Sequence, residues 1–181
     1  MNATFIPRQE EQLDNLSYFF IKCFDEYHKF EATSKIIDAM FRKFHGDPLC
    51  IVVFCNKRQT VQWLKWMFVM NCYSVSAIDG TMSKDERLGS LRKIRTGEKK
   101  ILISTNLMSR GINIPFTKLV INFDMPLNEA GDCDTKSFLH RVGRAGRFGQ
   151  KGAAVTLITN NEVDIVTALA NLYNREVKDK V

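Results

Sequence analysis

No apolar run in these 181 residues approaches the ~18 that a bilayer-crossing helix requires, so a membrane-spanning helix is not expected. The first 15 residues, MNATFIPRQEEQLDN, lack the basic-then-apolar order of a secretory leader, and Asn2-Ala3-Thr4, formally a glycosylation acceptor, is read as chance. The five cysteines, Cys23, Cys50, Cys55, Cys72 and Cys133, include no C-x-x-C pair, and no two histidines lie close together, which removes the usual zinc patterns. Scattered thiols of this kind are expected to be buried apolar filler in a reducing compartment. Also missing are G-x-x-x-x-G-K-[ST], G-x-G-x-x-G after a strand, G-x-S-x-G, and paired acids suited to Mg²⁺. The chain therefore has no phosphate cradle of its own, and no metal site is expected in it.

What is present is an ordinary globular composition, 45% hydrophobic and 25% charged, long enough for one domain with a sizeable core. Lysine and arginine outnumber the acids by 26 to 20, a net charge of +6 that mildly favours a polyanionic partner. Short runs rich in β-branched and aromatic residues predict strands at 16–23, 49–55, 73–78, 100–105, 118–123 and 153–159. Helical periodicity fills the intervals at 29–44, 58–70, 84–96, Thr135–Val142 and 161–174, with Ser83 and Glu86 forming a capping box and Gly97 closing that helix. This alternation predicts an α/β fold, a mostly parallel sheet with helices on both faces. The first 15 residues are expected to be loose, and 16–181 to be one domain.

In an open parallel sheet, ligands bind beyond the carboxyl ends of the strands. Asn56-Lys57-Arg58, Asp79-Gly80-Thr81, Ser104-Thr105-Asn106 and Asp124 should share that edge. Two cations at the start of a helix oppose its macrodipole unless an anion sits there, and a phosphate would resolve the conflict; a solvated loop is the competing reading. Ser104-Thr105 with the later Met108-Ser109-Arg110-Gly111 offers hydroxyls and a glycine for close approach, or merely a hydroxyl-rich strand end.

The stretch HRVGRAGRFG (140–149) is harder to explain without a ligand. Were 135–147 helical, Arg141, Arg144 and Arg147 would share a face and repel one another, while each glycine would cost ~1 kcal/mol relative to alanine. Arginine grips phosphate bidentately and glycine permits close packing of a second surface, so a structured phosphate contact is expected. A disordered arginine-rich RNA-binding segment is the alternative, against which the apolar Phe138, Leu139 and Val142 argue.

In this order and at this separation, STNLMSRGINIP (104–115) and HRVGRAGRFG resemble the carboxyl-terminal RecA-like domain of DEAD-box RNA helicases, members of superfamily 2, from about Leu16 to Tyr173. The resemblance implies a three-layer RecA-like domain and assigns roles by position. Asn56, Lys57 and Arg58 would approach an RNA phosphate. In DGTMSKDER, Gly80, Lys84 and Arg87 would also contact RNA, as would Thr105 and Arg110. Gly111 and Asn113 fall where ATP is contacted, Asn113 at the ribose. Arg144 and Arg147 match the arginine fingers that stabilise charge on the γ-phosphate, and His140 and Arg141 match residues bridging to the partner domain. The chain departs from the family at Asn113 (usually Asp), Lys84 (usually Gln) and Asp79 (usually His). A weaker ribose contact and a salt-dependent RNA contact are expected from the first two.

The resemblance also implies that ATP, with Mg²⁺ held mainly by a separate amino-terminal RecA-like domain, binds between two domains, of which this chain is the second. It would act with that domain in ATP-dependent RNA helicase activity on single-stranded or duplex RNA, or in RNP remodelling, and would be inactive alone. A monomer inside the cell is expected, in cytoplasm or nucleus, with protein activators as further partners. The long interval LNEAGDCDTKSFL (127–139) resembles messenger-RNA export helicases of the nuclear pore, whereas FDMP also resembles helicases coupling splicing to export. Two other classes remain open: a non-catalytic RNA- or protein-binding module, and a DNA helicase of the same superfamily.

Overall fold

Strand β3, Cys50–Phe54, is apolar and buried at all five positions, as a strand covered on both faces must be. The computed structural model describes residues 3–5, 16–106, 114–146 and 151–165. In chain order its elements are β1 (Ala3–Phe5), β2 (Leu16–Lys22), α1 (Glu26–Lys43), β3, α2 (Arg58–Met70), β4 (Val75–Ile78), α3 (Lys84–Arg95), β5 (Ile101–Ser104), β6 (Thr117–Asn122), α4 (Thr135–Val142) and β7 (Gly152–Ile158). They build a seven-stranded sheet in the order β1-β2-β7-β6-β3-β5-β4. Every pairing in it is parallel except β1 with β2.

Period-two alternation divides the core between the faces. Ile51, Val53, Ile101 and Ile103 pack with Phe30 and Ile37 of α1 and Val61, Leu64 and Phe68 of α2. Val52, Phe54, Leu102 and Val120 pack on the other side with Leu91 and Ile94 of α3 and Phe138 and Val142 of α4. The expected α/β architecture with helices on both faces is thus the observed one.

Helix starts follow their capping chemistry. Asp25 accepts from the His28 amide at 2.7 Å, Ser83 and Glu86 close the expected capping box, and Asp134 accepts from the Ser137 amide at 3.0 Å. At α2 the N-cap is Lys57, which makes no side-chain cap bond, and the first turn holds no acid.

The differences from expectation have physical reasons. Ala3–Phe5 pairs antiparallel with Phe19–Ile21 within the segment expected to be loose, because the outer edge of β2 is open to a further strand. Helix α1 starts three residues before the expected 29, where Asp25 supplies the cap. Helix α4 ends at Val142 with Gly143 as its C-cap, and Gly146 has φ +70°, so 135–146 is not one helix and Arg144 lies beyond the end of the helix that carries Arg141. The helix expected at 161–174 opens with a 3₁₀ turn at Asn160–Glu162, and its part beyond 165 lies outside the described residues. Of the cysteines, Cys23, Cys50 and Cys55 are buried as expected, whereas Cys133 is half-buried and Cys72 is exposed, at φ 63° in the turn after α2.

Candidate functional site

Parallel strands deliver their following loops to one edge, and there Arg141 gathers three of them. Its side chain is fully buried, a placement that costs a charged group several kcal/mol unless its donors are met. They are met by neutral oxygens. Nε donates to Asn106 Oδ1 at 2.6 Å, Nη2 to Asn56 Oδ1 at 2.7 Å, and Nη1 to the Asp124 carbonyl at 2.8 Å and, more weakly, to Asn122 Oδ1 at 3.4 Å. The guanidinium also lies 5.4 Å from the Phe54 ring centre. Burial pushes the Arg141 pKa down to about 10, opposed chiefly by the Asp124 charge, so the group stays protonated at neutral pH. The partners come from the ends of β3, β5 and β6, and Arg141 itself from α4.

Asn56 is held from three sides. Its backbone amide donates to Asp124 Oδ2 at 2.9 Å, its side-chain Nδ2 to the Met125 carbonyl at 2.7 Å, and its Oδ1 accepts from Arg141. One amide hydrogen remains for a ligand. Asp124 also faces Lys29, whose Nζ lies 3.9 Å from it and 3.9 Å from Glu162. Buried Lys29 and Arg141 and half-buried Asp124 and Glu162 therefore sum to zero charge beneath the edge. Lys29 is absent from the residues expected at the site. Its only signal in the sequence is its place on the apolar stripe of α1, one turn before buried Thr33.

Beside this lies a second anchored turn. Asp79, 1% exposed, accepts from the Thr81 amide at 2.9 Å and hydroxyl at 2.6 Å through one oxygen, and from Gln62 Nε2 at 2.7 Å through the other. Burial opposes its ionisation, but the Thr81 and Gln62 bonds and the Arg58 charge outweigh that, holding its pKa below the usual value. The Asp79 carboxylate thus ties the Gly80 turn to α2.

Thr105 carries an Oγ1 that is buried and has no hydrogen-bond partner among the described residues. An unpaired buried hydroxyl is costly, and one next to Asn106 at the strand ends is placed for an incoming acceptor or donor. Lys57, Arg58 and Lys84 are exposed at the same edge, and Arg87 is half-buried with Nε donating to the Met82 carbonyl at 2.9 Å. His140 is exposed, while Arg144 is buried with Nε donating to the His140 carbonyl at 3.2 Å. Arg110, Gly111, Asn113 and Arg147 lie outside the described residues. No cluster of three or more metal-ligating side chains occurs among the described residues.

At Arg141 the charge of the arginine segment is met by carbonyl and amide oxygens. Two of its glycines also serve the chain's own packing: a Cβ on Gly143 would stand 3.0 Å from the Leu139 carbonyl, and Gly146 adopts a left-handed φ while its backbone abuts Gly152 of β7.

Residues 28–149 match the helicase conserved C-terminal domain. The chain is 33% identical over 174 residues to the DEAD-box helicase Dbp80 of Drosophila melanogaster, covering 96% of this chain and 36% of that protein. It resembles S. cerevisiae Dbp5 bound to RNA and ADP BeF3, with a TM-score of 0.78 and 28% identity over 91% of this chain and 40% of that one. It also resembles a Dbp5 variant bound to a Gle1 variant and IP6, with a TM-score of 0.79 and 28% identity over 89% and 40% of the respective chains. The chain thus spans about a third of the length of Dbp80.

Proposed function

The chain belongs to the family of helicase conserved C-terminal domains, and from that membership we propose that it is the second half of the ATP-binding cleft of an ATP-dependent DEAD-box RNA helicase. The observation that carries the RNA side of this reading is the buried, unpartnered Thr105 hydroxyl, set among exposed Lys57, Arg58 and Lys84. RNA phosphates would be met by Thr105, by the cations before and within α2, by Gly80, Lys84 and Arg87 of the next turn, and by Arg110. Such contacts read backbone rather than base, so binding independent of sequence is expected.

On the nucleotide side, Arg144 and Arg147 are proposed as the fingers that meet the γ-phosphate, with Gly111 and Asn113 against the nucleotide and His140 at the facing domain. ATP and RNA together would close the cleft, and a duplex that cannot follow the bound strand's path would lose one strand. ATP hydrolysis would require Mg²⁺ held by the facing domain, so the isolated chain is proposed to be inactive. The Dbp5 variant bound to a Gle1 variant supports a similar protein activator, and the reading extends to a role in messenger-RNA export at the nuclear pore, by a monomer.

The test is RNA-stimulated ATP hydrolysis by the full-length protein. Arg144→Ala is expected to lower it by about 10³–10⁵ while RNA still binds. Unchanged hydrolysis would sink the finger assignment, and RNA binding with no hydrolysis in the unaltered protein would favour a non-catalytic module. Stimulation by single-stranded DNA equal to that by RNA would favour a DNA helicase.

A further inference from the structure

Two adjoining cavities open at the amino-terminal edge of the sheet, the edge opposite Arg141 and Thr105. One, of about 310 Å³, is lined by residues that include Gly46, Arg95, Gly97, Lys100, Pro115 and Phe116. The other, of about 510 Å³, shares Gly97 and Lys100 and continues past Asp38, Tyr73 and Glu98.

Lys100 stands on the wall between them. It is half-buried, its carbonyl is fixed by the Ile51 amide at 2.8 Å, and its ammonium has no ion-pair or hydrogen-bond partner among the described residues. The nearest acids do not claim it: Asp38 accepts from the Tyr73 hydroxyl at 2.8 Å, and Glu98 and Asp47 line the cavities without pairing to it. Around it the sequence RKIRTGEKK (92–100) carries five cations and one acid. Arg92, Lys93 and Arg95 complete the last turn of α3, where they complement the helix dipole. That accounts for three of the five and leaves Lys99, which donates to Ser74 Oγ at 2.8 Å, and Lys100.

Phe116 forms the opposite wall. Its backbone is left-handed, φ 59°, in a residue whose bulk disfavours that region, and its carbonyl is locked there by the Cys50 amide at 2.8 Å. The residue is nevertheless 48% exposed, so the strained backbone leaves a large apolar side chain in contact with solvent instead of burying it.

We propose that this edge is a second RNA-binding surface, which takes a nucleotide of single-stranded RNA with its base on the Phe116 ring and its phosphate against Lys100. A flat aromatic beside an unpaired cation on a fixed wall is an arrangement that holds single strands without reading sequence, whereas an acidic peptide would have no use for the ring. RNA as the ligand rests on the reading of the cleft given above. A strand long enough to leave the cleft and reach this edge would bind at two places at once, which raises its affinity over that of a cleft-sized strand.

The experiment compares, in the full-length protein, a short oligouridine that fills only the cleft with a long one, for the unaltered chain, Phe116→Asn and Lys100→Gln. Asparagine tolerates the left-handed backbone, so Phe116→Asn should unfold at no lower temperature than the unaltered protein. Both variants should keep short-strand affinity and hydrolysis. Phe116→Asn should lose about tenfold in long-strand affinity, and Lys100→Gln should lower the salt slope of long-strand binding by about 0.7. A length advantage that survives both substitutions overturns the proposal. So does short-strand binding with no length advantage, which leaves the cleft reading standing. Failure to bind either strand overturns both. Photocrosslinking of a poly-glutamate peptide at Phe116, in place of the long strand, would overturn the choice of RNA.

Discussion

Arg141 Nη2 lies 2.7 Å from Asn56 Oδ1, a contact made across 85 residues of chain between α4 and the end of β3. Because the guanidinium also bonds Asn106 and the Asp124 carbonyl, one side chain ties two loops proposed to meet RNA, those after β3 and β5, to the loop after β6. It sits three residues before Arg144, the proposed finger, so the loops on the RNA side and the segment on the nucleotide side share a single buried anchor.

Arg141→Met should therefore destabilise the domain by about 3 kcal/mol, because it leaves those oxygens buried without a donor. That corresponds to a drop of roughly 10 °C in the melting temperature. Arg141→Lys should recover little, since an ammonium cannot reach diverging acceptors as a planar fork does. Thermal unfolding of the three proteins decides it; a melting temperature for Arg141→Lys equal to the unaltered one would show that charge alone matters.

Thr105→Val should move stability and RNA affinity in opposite directions. Valine has nearly the shape of threonine without the hydroxyl, which in the free chain is buried and unpaired. Removing it should stabilise the domain by about 1 kcal/mol. If Thr105 bonds an RNA phosphate, the same change should weaken RNA binding by the full-length protein about tenfold. Chemical denaturation and RNA titration together test the pair of signs.

Asp79 should make stability fall in acid. Its folded pKa is below the unfolded value of about 4. The stability it contributes is therefore complete above about pH 4 and drains as the pH falls through the lower, folded value. Asp79→Asn should flatten this part of the profile, measured as unfolding free energy against pH. The same variant removes a negative charge near the proposed RNA path, so bare electrostatics favours tighter RNA binding. If the carboxylate instead positions the Gly80 turn through Thr81 and Gln62, RNA binding should weaken.

Gly152→Ala should destabilise the domain by about 1–3 kcal/mol through overpacking alone. The added methyl would meet the backbone nitrogen of Gly146, stand 2.9 Å from its Cα and 3.0 Å from the Ala145 carbonyl carbon. All three are backbone atoms of one segment, so no side chain can swing away. Wild-type-like unfolding of Gly152→Ala would mean that the 143–146 turn is free to move off β7.

The sequence by itself determined the strand and helix order, because continuous apolar runs and 3.6-residue periodicity are local signals. It determined the capping box at Ser83 and Glu86 for the same reason, and placed Asn56, Asp79, Thr105 and Asp124 on one edge through the rule for parallel strands. Only the tertiary structure decided what the edge residues do to one another. That Arg141 is buried and satisfied by amide oxygens depends on partners that lie 17 to 85 positions away in the chain, which no window of sequence contains. That Lys29 is a buried counter-charge and not a solvated helix residue depends on Asp124 and Glu162 arriving from β6 and the turn after β7. And the left-handed backbone of Phe116 follows from the closure of the loop before β6 on the Cys50 amide, a long-range hydrogen bond that outweighs the local preference of the residue.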